Sequence, residues 1–272
     1  MSPPDYLAKK NVHERDQYIT FDEGPHIYTV HGEQGYTSVT TWNHSHFEEF
    51  DSDKIIDTML KSKKMRDPDY KYYSMSKEEI KAQWDKNRDE SATAGTQMHY
   101  DIECYYNGLD VQNESIEYTF FKTFVEDFKQ ENPDWVPYRT EWMVYYEELK
   151  ISGSIDMIFQ NTKTGELMIY DWKRCKEIIY ESFNNKGAIT ECISHLPDTN
   201  FWHYSLQLNM YKTILEQKYG KKVVGLYLVC LHPENVYGSY EKLKVPFLDR
   251  EMVLLLEFRK KQLSENMNIK KH

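Results

Sequence analysis

Two aspartates and a lysine stand out in the segment GSIDMIFQNTKTGELMIYDWKR, which runs from Gly153 to Arg174. Asp156 and Asp171 interrupt two runs that have the apolar, β-branched character of strands, and Lys173 follows the second aspartate by two residues. The stretch NTKTG between the runs is typical of a turn. Because charged groups are costly in half-buried strands, this pattern indicates that a ligand or a reaction requires them.

An antiparallel hairpin would place Asp156 and Asp171 opposite each other. That pairing centres the turn between Lys163 and Thr164, inside NTKTG, and brings the two Cβ atoms to about 5 Å. Side chains alternate along a strand, so Lys173 should lie on the same face as Asp171.

Two carboxylates at this separation repel each other unless a cation lies between them. Mg²⁺ prefers oxygen ligands and keeps several waters, which suits two aspartates and a phosphate. Two roles are open to Lys173: it orients or deprotonates an attacking water, or it stabilises negative charge on the phosphate. The alternative is that Asp-x-Lys, a common spacing, is a solvated edge without a function.

Local patterns predict the surrounding elements. The predicted elements before the carboxylate hairpin are a β-hairpin between Tyr18 and Ser38 with its turn in HGEQG, a helix cap at Ser38, a helix over 53–66, a helix from the capping box of Ser76 and Glu79 to about Asn87, a helix from Thr96 to about Gly108, and a helix over 116–131. Those that follow are strands over 139–147, 150–160 and 166–173, an irregular run from 183 to about 199, a helix over 200–218, a strand in KKVVGLYLVCL, an edge strand in SYEKLKVPF and a helix over 249–266. This order predicts an α/β fold with a mixed central β-sheet flanked by helices and a helical N-terminal elaboration.

Four motifs then carry a family resemblance. GSIDMIF and MIYDWKR resemble the Gly-x-x-Asp and Asp/Glu-x-Lys strands of the PD-(D/E)XK nuclease superfamily, and GTQMHYDIE and QLNMY resemble the Gly-Thr-x-x-His-x-x-x-Glu and Gln-x-x-x-Tyr helices of its RecB-like branch. HIYTV with YTSVTTW is similar to the leader of lambda-exonuclease-like enzymes of phages and large DNA viruses. The sequence shows no repeats and no clear linker, so a single domain over 1–272 is predicted. The resemblance covers about 76–232 and implies a restriction-endonuclease-like nuclease core there, with an N-terminal hairpin and helices at 1–75 and a C-terminal strand and helix at 233–272.

The resemblance also implies a set of site residues. The implied catalytic residues are Asp156, Asp171, Lys173, Gln207 and Tyr211, and the implied metal ligands are Asp156, Asp171, the carbonyl of Trp172, His99, Glu103 and Glu141. His99 and Glu103 are four residues apart, so they share a helix face.

Two acids of this set keep alternative roles. Glu103 binds the water of a second metal or buttresses His99. Glu141 joins the metal shell or pairs with Lys150 or Arg139.

The implied cofactor is Mg²⁺ or Mn²⁺. Some RecB-like nucleases hold an iron–sulfur cluster on grouped cysteines, but the four cysteines of this chain are dispersed, so no cluster is predicted: Cys104, Cys175, Cys192 and Cys230.

DNA contacts must be local, because the chain carries a net charge of −10. Arg174 and Lys176, beside the candidate site, are predicted to contact phosphates. The stretch KSKKMRDPDYKYY at 61–73 is a second candidate, where lysines pair with phosphates and tyrosines stack on bases; a solvated helix end is the alternative.

The predicted function is a metal-dependent DNA exonuclease, with 5′–3′ polarity favoured by the resemblance, that acts at DNA ends in recombination, repair or replication. Alternatives are a single-strand or flap endonuclease of the same fold, an RNase, and a non-catalytic DNA-binding module. The predicted partners are duplex ends or single strands of DNA and a recombination protein, with an oligomer left open. No stretch approaches the roughly 20 apolar residues of a membrane span, and the N-terminal MSPPDYLAKK lacks the apolar core of a secretory signal. An intracellular location is therefore predicted: cytoplasm, nucleus, or a host cell if the protein is viral.

Overall fold

The structure, a computed structural model, describes residues 4–269. The helices are α1 (Tyr6–Lys10), α2 (Val39–His44), α3 (Ser52–Leu60), α4 (Lys77–Tyr106), α5 (Ile116–Glu131), α6 (Asn200–Lys218) and α7 (Asp249–Ile269). The strands are β1 (Ile19–Asp22), β2 (Ile27–Val30), β3 (Thr37–Ser38), β4 (Trp135–Tyr146), β5 (Ile151–Asn161), β6 (Leu167–Lys173), β7 (Val223–Cys230) and β8 (Glu241–Lys244). The chain divides into two compact units, one that comprises the residues up to Glu48 and from His99 onward, and one that comprises Glu49–Met98. A single nuclease domain stays a prediction.

A six-stranded sheet of mixed orientation forms the centre of the first unit, among the residues that the structure describes. β5 is antiparallel to β4 and to β6, β6 is parallel to β7, and β7 is antiparallel to β8 at the edge. The predicted α/β class with a mixed central sheet flanked by helices is confirmed.

One edge of β5 is shared by two partners. β3 pairs with its beginning, at Ile151 and Ser152, and β6 pairs with its later part, from Met157 to Gln160. β4 runs along the other edge, from Ile151 to Asn161. The sheet is therefore split over residues 153–156, between the end of the contact with β3 and the start of the contact with β6.

The register of β5 and β6 is the predicted one. Met157 lies opposite Tyr170 and Gln160 lies opposite Leu167, so Asp156 and Asp171 are the next residues beyond the last paired ones. The turn falls in the predicted stretch NTKTG, where the side chain of Asn161 accepts hydrogen bonds from the backbone N–H groups of Lys163 and Thr164. Asn and Gly suit such a turn because they bond their own backbone or tolerate a positive φ.

The two faces of β6 pack against different helices. Trp172 meets Phe121 and Phe124 of α5 with ring centroids 5.7 and 5.3 Å apart. Side chains alternate along the strand, so Asp171 and Lys173 point to the opposite face. That is the face of α6, since the ammonium of Lys173 lies over the ring of Tyr204.

Helix caps occur where the sequence predicts them. The Ser38 hydroxyl accepts a hydrogen bond from the N–H of Thr41 and starts α2. Ser76 and Glu79 form a reciprocal capping box at the start of α4, with bonds of 2.7 and 3.2 Å. The helices predicted over 116–131 and 200–218 have those bounds in the structure.

Several predicted bounds are wrong. α4 is one helix from Lys77 to Tyr106, so Thr96 lies inside it rather than at a cap. Gly95 is the weak point of this stretch, but one glycine costs a helix only about 1 kcal/mol. The helix predicted over 53–66 ends at Leu60 and is followed by a 3₁₀ turn at Lys63–Arg66.

The predicted position of the turn in the first hairpin is also wrong. β1 and β2 pair as predicted, but residues 23–26 connect them. HGEQG follows β2 and forms a separate tight turn, in which His31 and Gly32 take φ of 51° and 77°. The strand predicted over 139–147 begins earlier, at Trp135.

No helix among residues 4–269 has both the length and the apolar character that crossing a membrane requires.

A buried histidine ties the end of α2 to the irregular run at 183–199. His46 is 2% exposed, and its Nδ1 lies 2.9 Å from Thr190 Oγ1. Burial, helped by the charge of Arg259, lowers the pKa of His46 to about 4. The folded protein therefore holds this imidazole in its neutral form at neutral pH.

Acidification should therefore destabilise the fold through His46. Between about pH 6.5 and pH 4 the unfolded chain binds a proton at this position that the folded chain excludes, which removes up to about 3 kcal/mol of stability. Urea unfolding across this pH range should show the stability difference between wild type and His46→Gln narrowing as the pH falls. A stability difference between the two proteins that does not change with pH would contradict the lowered pKa of His46.

Candidate functional site

The candidate site lies at the split of the sheet, where β5 and β6 separate. Asp156 extends its carboxylate across the opening, and its Oδ2 accepts a hydrogen bond of 3.0 Å from the backbone N–H of Trp172. Burial raises the pKa of Asp156, although the charge of His99 lowers it in part. The carboxylate is thus held between the two strands with little access to water.

Asp171 and Lys173 form a close ion pair on β6. Lys173 Nζ lies 2.6 Å from Asp171 Oδ2, and both side chains are largely buried. Burial raises the pKa of Asp171 to about 6, against the charge of Lys173. Burial would lower the pKa of Lys173, but the charges of Asp171 and Asp156 outweigh it and raise that pKa above its ordinary value.

α6 supplies the aromatic wall of the site. The ammonium of Lys173 lies 4.7 Å from the ring centroid of Tyr204. Gln207 and Tyr211 follow on the same face of the helix. Burial raises the pKa of Tyr211, and the charges of Asp156 and Asp171 add to it. The ring of Tyr211 packs on β5 at Gly153, three residues before Asp156. Roles for Gln207 and Tyr211 in the site stay predictions.

Gly153 lets α6 approach β5. A Cβ atom at this position would lie 2.9 Å from both Cε1 and the hydroxyl oxygen of Tyr211 and 3.1 Å from a methyl of Val39. The first glycine of the Gly-x-x-Asp motif is thus required by packing beside the site.

Gly153→Ala should therefore destabilise the protein by about 1–3 kcal/mol, because the rigid ring of Tyr211 must move away from β5. Gly95→Ala is the matched control: a Cβ at Gly95 would meet no atom of the described residues within 4 Å, and alanine in a helix should add about 0.5–1 kcal/mol. Urea unfolding should show that Gly153→Ala lowers the free energy of unfolding and that Gly95→Ala raises it. Changes of the same sign in both variants would contradict the packing argument.

His99 is oriented by the backbone of β6. Its Nε2 lies 2.9 Å from the carbonyl oxygen of Trp172, so this nitrogen carries a hydrogen and donates it. The other nitrogen, Nδ1, faces two carboxylates, at 3.6 Å from Asp156 Oδ2 and 3.7 Å from Glu141 Oε1. Burial would lower the pKa of His99, but the charges of Asp156 and Glu141 raise it to about 9. In its neutral form this tautomer offers Nδ1 as a ligand.

Glu141 reaches the same place from β4. Its neighbours Thr140 and Trp142 lie opposite Met157 and Ile155 of β5, so Glu141 occupies the position across from Asp156. Its φ is 43°, a left-handed conformation that is costly for a residue with a side chain. The Ser154 hydroxyl donates a 2.9 Å hydrogen bond to Glu141 Oε2.

The two alternative partners of Glu141 are engaged elsewhere. Lys150 pairs with Glu33 and Arg139 pairs with Asp16, each at 2.7 Å. Glu141 therefore faces the acids and the histidine of the site, as the first of its two predicted roles requires.

His99, Glu141 and Asp156 could hold a cation together. One ligand atom from each lies within 4.8 Å of the others. Around a cation with ligands at about 2.1 Å, neighbouring ligands lie about 3.0 Å apart and opposite ligands about 4.2 Å apart, so the separations of 3.6 and 3.7 Å from Nδ1 fit. One imidazole with two carboxylates suits Mn²⁺ or a similar divalent ion, and the two acids suit Mg²⁺.

Three predicted ligands lie beside this group rather than within it. Asp171 pairs with Lys173, and the carbonyl of Trp172 accepts the hydrogen bond from His99. Glu103 is one helical turn from His99; burial and the charge of Glu141 raise the pKa of Glu103 to about 7. These residues border the site, and direct ligation by them stays a prediction.

The two predicted DNA contacts are each paired with an acid. Arg174 donates to Glu117 at 2.7 Å, with both side chains largely buried, and Lys176 pairs with Glu234 at the surface. Their charges are thus compensated within the protein.

Two side chains of the site were not predicted: Tyr204 and Ser154. Tyr204 lies three residues before Gln207 on one helix face, and Ser154 lies two residues before Asp156 on one strand face, so periodicity could have found both.

Comparisons with known proteins add little to this geometry. No protein-family model and no curated protein matches the chain. One matching solved structure, titled "Crystal structure of SSO0001", is 13% identical to this chain with a TM-score of 0.26, over 54% of this chain and 58% of that one. This chain thus spans 58% of the length of that protein, and a likeness at this TM-score carries no argument about fold or function.

Proposed function

We propose that this protein is a metal-dependent nuclease that hydrolyses phosphodiester bonds of DNA. The observation that carries the proposal is the arrangement at the split of the sheet. Asp156 and Asp171 lie just beyond the paired residues of β5 and β6, and Lys173 lies on the same face as Asp171. His99 and Glu141 form with Asp156 a group of three possible ligands. This combination of acids, a histidine and a buried lysine suits metal-assisted hydrolysis of an anionic ester.

The ligands of the divalent cation in this proposal are His99, Glu141 and Asp156, with Asp171 beside them. A bound Mg²⁺ or Mn²⁺ supplies Lewis acidity toward the phosphate and lowers the pKa of a bound water. The hydrogen bond from His99 Nε2 to the Trp172 carbonyl keeps Nδ1 directed at the acids.

Lys173 acts as a fixed positive charge in this proposal. The charges of Asp171 and Asp156 raise its pKa above the ordinary value, which favours the charged ammonium. The ammonium stabilises the negative charge that develops on the phosphate, and Tyr204 and Asp171 hold it in place.

The preference for DNA ends rests on the resemblance to lambda-exonuclease-like enzymes. We propose exonuclease action in the 5′–3′ direction, in the context of recombination, repair or replication.

The test compares 5′-labelled duplex, 3′-labelled duplex, single-stranded DNA and RNA, each with Mg²⁺, Mn²⁺ or EDTA. The expected result is release of nucleotides from one duplex end that requires the metal. No degradation with either metal, or degradation in EDTA, would reject the nuclease. Cleavage of RNA alone would reject DNA as the substrate.

A further inference from the structure

The stretch from Lys61 to Tyr73, in the second compact unit, has a charge opposite to that of the whole protein. It contains five basic and two acidic residues, a net charge of +3 in a chain of −10. All five basic side chains are exposed: Lys61, Lys63, Lys64, Arg66 and Lys71. We call this stretch the basic segment.

The cations of the basic segment differ from those of α4 that follow it in the chain. Four basic residues of α4 in the same unit form ion pairs with acids of this unit: Lys77, Lys81, Lys86 and Arg88. None of the five cations of the basic segment has an acid within ion-pair distance among the residues that the structure describes. Their charge is therefore available to an external anion.

The backbone of the basic segment is ordered by local hydrogen bonds. A 3₁₀ turn spans Lys63–Arg66, and Asp67 Oδ1 then accepts a bond from the N–H of Asp69. Further turns bond Tyr70 N to the carbonyl of Asp67 at 3.0 Å and Tyr73 N to that of Tyr70 at 2.8 Å. An ordered array of cations loses less conformational entropy when it binds an anionic chain.

Aromatic rings lie beside these cations. The indole N–H of Trp84 donates a 2.9 Å hydrogen bond to the hydroxyl of Tyr72. The ring of Phe50 lies 6.1 Å from that of Trp84 and is 70% exposed, and Tyr73 is 44% exposed. Tyr73 belongs to the basic segment, and Phe50 is linked to it through Trp84 and Tyr72, so two exposed rings accompany the five cations and offer stacking surfaces to unpaired bases.

We propose that the basic segment, with Phe50, is a binding site for single-stranded nucleic acid. The lysines and Arg66 contact phosphates, and Tyr73 and Phe50 stack on bases. An anionic membrane surface fits less well, because the segment contains no Leu, Ile, Val, Phe or Trp and its Met65 is half buried, whereas insertion requires an apolar face. The inference does not rest on the proposed hydrolysis, because binding here needs neither a metal nor the site on the sheet.

The first measurement uses the intact protein in EDTA. Fluorescence anisotropy of a labelled oligothymidylate gives the affinity at several salt concentrations. The test variant is the triple substitution Lys63→Ala, Lys64→Ala and Arg66→Ala. It should bind about 10-fold or more weakly, and its salt slope should be smaller by about 2, since each phosphate contact on a single strand contributes about 0.7.

The matched control removes the same charge from the ion-paired cations of the same unit, by Lys81→Ala, Lys86→Ala and Arg88→Ala. This variant should keep the wild-type salt slope. Equal losses in both triple variants would overturn the proposal, because they would mean that net charge alone governs binding. Binding of anionic phospholipid vesicles without binding of the oligonucleotide would overturn it in favour of a membrane.

Two further measurements do not depend on the triple variant. Tyr73→Ala should weaken binding about 5-fold or more and Tyr73→Phe should not, because a ring rather than a hydroxyl does the stacking. Wild-type protein is acetylated with and without the oligonucleotide, and the modified lysines are mapped by mass spectrometry. The oligonucleotide should protect Lys63 and Lys64 from acetylation but not Lys86. Equal protection of Lys86, or an unaffected Tyr73→Ala variant, would overturn the proposal. Since EDTA prevents metal-dependent cleavage, these outcomes are independent of whether the protein is a nuclease.

Discussion

Lys173→Met should abolish DNA cleavage by the proposed nuclease while the protein remains folded. The ammonium is the positive charge in direct contact with Asp171, at 2.6 Å, and methionine keeps much of the apolar stem over the ring of Tyr204. Loss of a pre-organised charge of this kind lowers kcat by about 10²–10³ or more. Single-turnover cleavage of end-labelled duplex in saturating Mn²⁺ measures the effect, and circular dichroism checks the fold.

Lys163→Ala is the matched control for this experiment. Lys163 belongs to the same hairpin but lies at its turn, where it pairs with Asp134 at the surface. Lys163→Ala should cleave DNA at close to the wild-type rate, because exposed ion pairs contribute little. Full activity of Lys173→Met would remove this lysine from the mechanism. Asp171→Asn should also be inactive, and its full activity would remove the acid in the same way.

Asp156→Asn should lower the affinity of the protein for Mn²⁺ by about 100-fold or more. Asp156 is the acid whose carboxylate lies near both other members of the group, and replacing even an outer partner of a metal ligand costs about 10- to 100-fold. Isothermal titration calorimetry in the absence of DNA measures the affinity directly. The rise in melting temperature on adding Mn²⁺ should shrink in parallel.

Glu166→Gln provides the comparison for metal binding. Glu166 lies at the surface end of the same hairpin and pairs with Lys222. The substitution therefore removes one negative charge at a distance from His99 and Glu141. Its Mn²⁺ affinity should equal that of the wild type. If both variants lose affinity equally, the ion binds elsewhere or without specificity.

The hairpin geometry could be predicted from the sequence because two independent signals agree. The turn residues in NTKTG and the spacing of Asp156 and Asp171 allow one register, and the structure has that register. The capping box of Ser76 and Glu79 was equally informative, because its two hydrogen bonds depend only on neighbouring residues. Local chemistry thus sufficed wherever the determining contacts are local.

The grouping of the ligands could not be predicted in the same way. Spacing favoured an ion between Asp156 and Asp171, whereas the structure places Asp156 with His99 and Glu141 and leaves Asp171 with Lys173. This difference depends on the left-handed backbone at Glu141 and on the hydrogen bond from His99 to β6. Both arise from contacts between distant parts of the chain, which a strand pattern does not encode.

The continuity of α4 illustrates the opposite error. Gly95 and Thr96 resemble a break and a new cap, but the residues on both sides favour a helix, and a second helix would have to nucleate again. The prediction gave too much weight to a single glycine. The motif GTQMHYDIE is therefore presented on one helix from Lys77 to Tyr106.

Asp156 has a second role that affects how its substitutions must be interpreted. Its Oδ2 accepts a hydrogen bond from the backbone N–H of Trp172. This N–H lies beyond the last paired residues of β5 and β6. Alanine at 156 would leave the backbone N–H of Trp172 without its acceptor, which should lower the stability of the protein by about 1–3 kcal/mol. Asparagine still offers an oxygen to this N–H. An alanine survey of the acids would therefore confuse a loosened sheet with a lost ligand, and amide replacements separate the two.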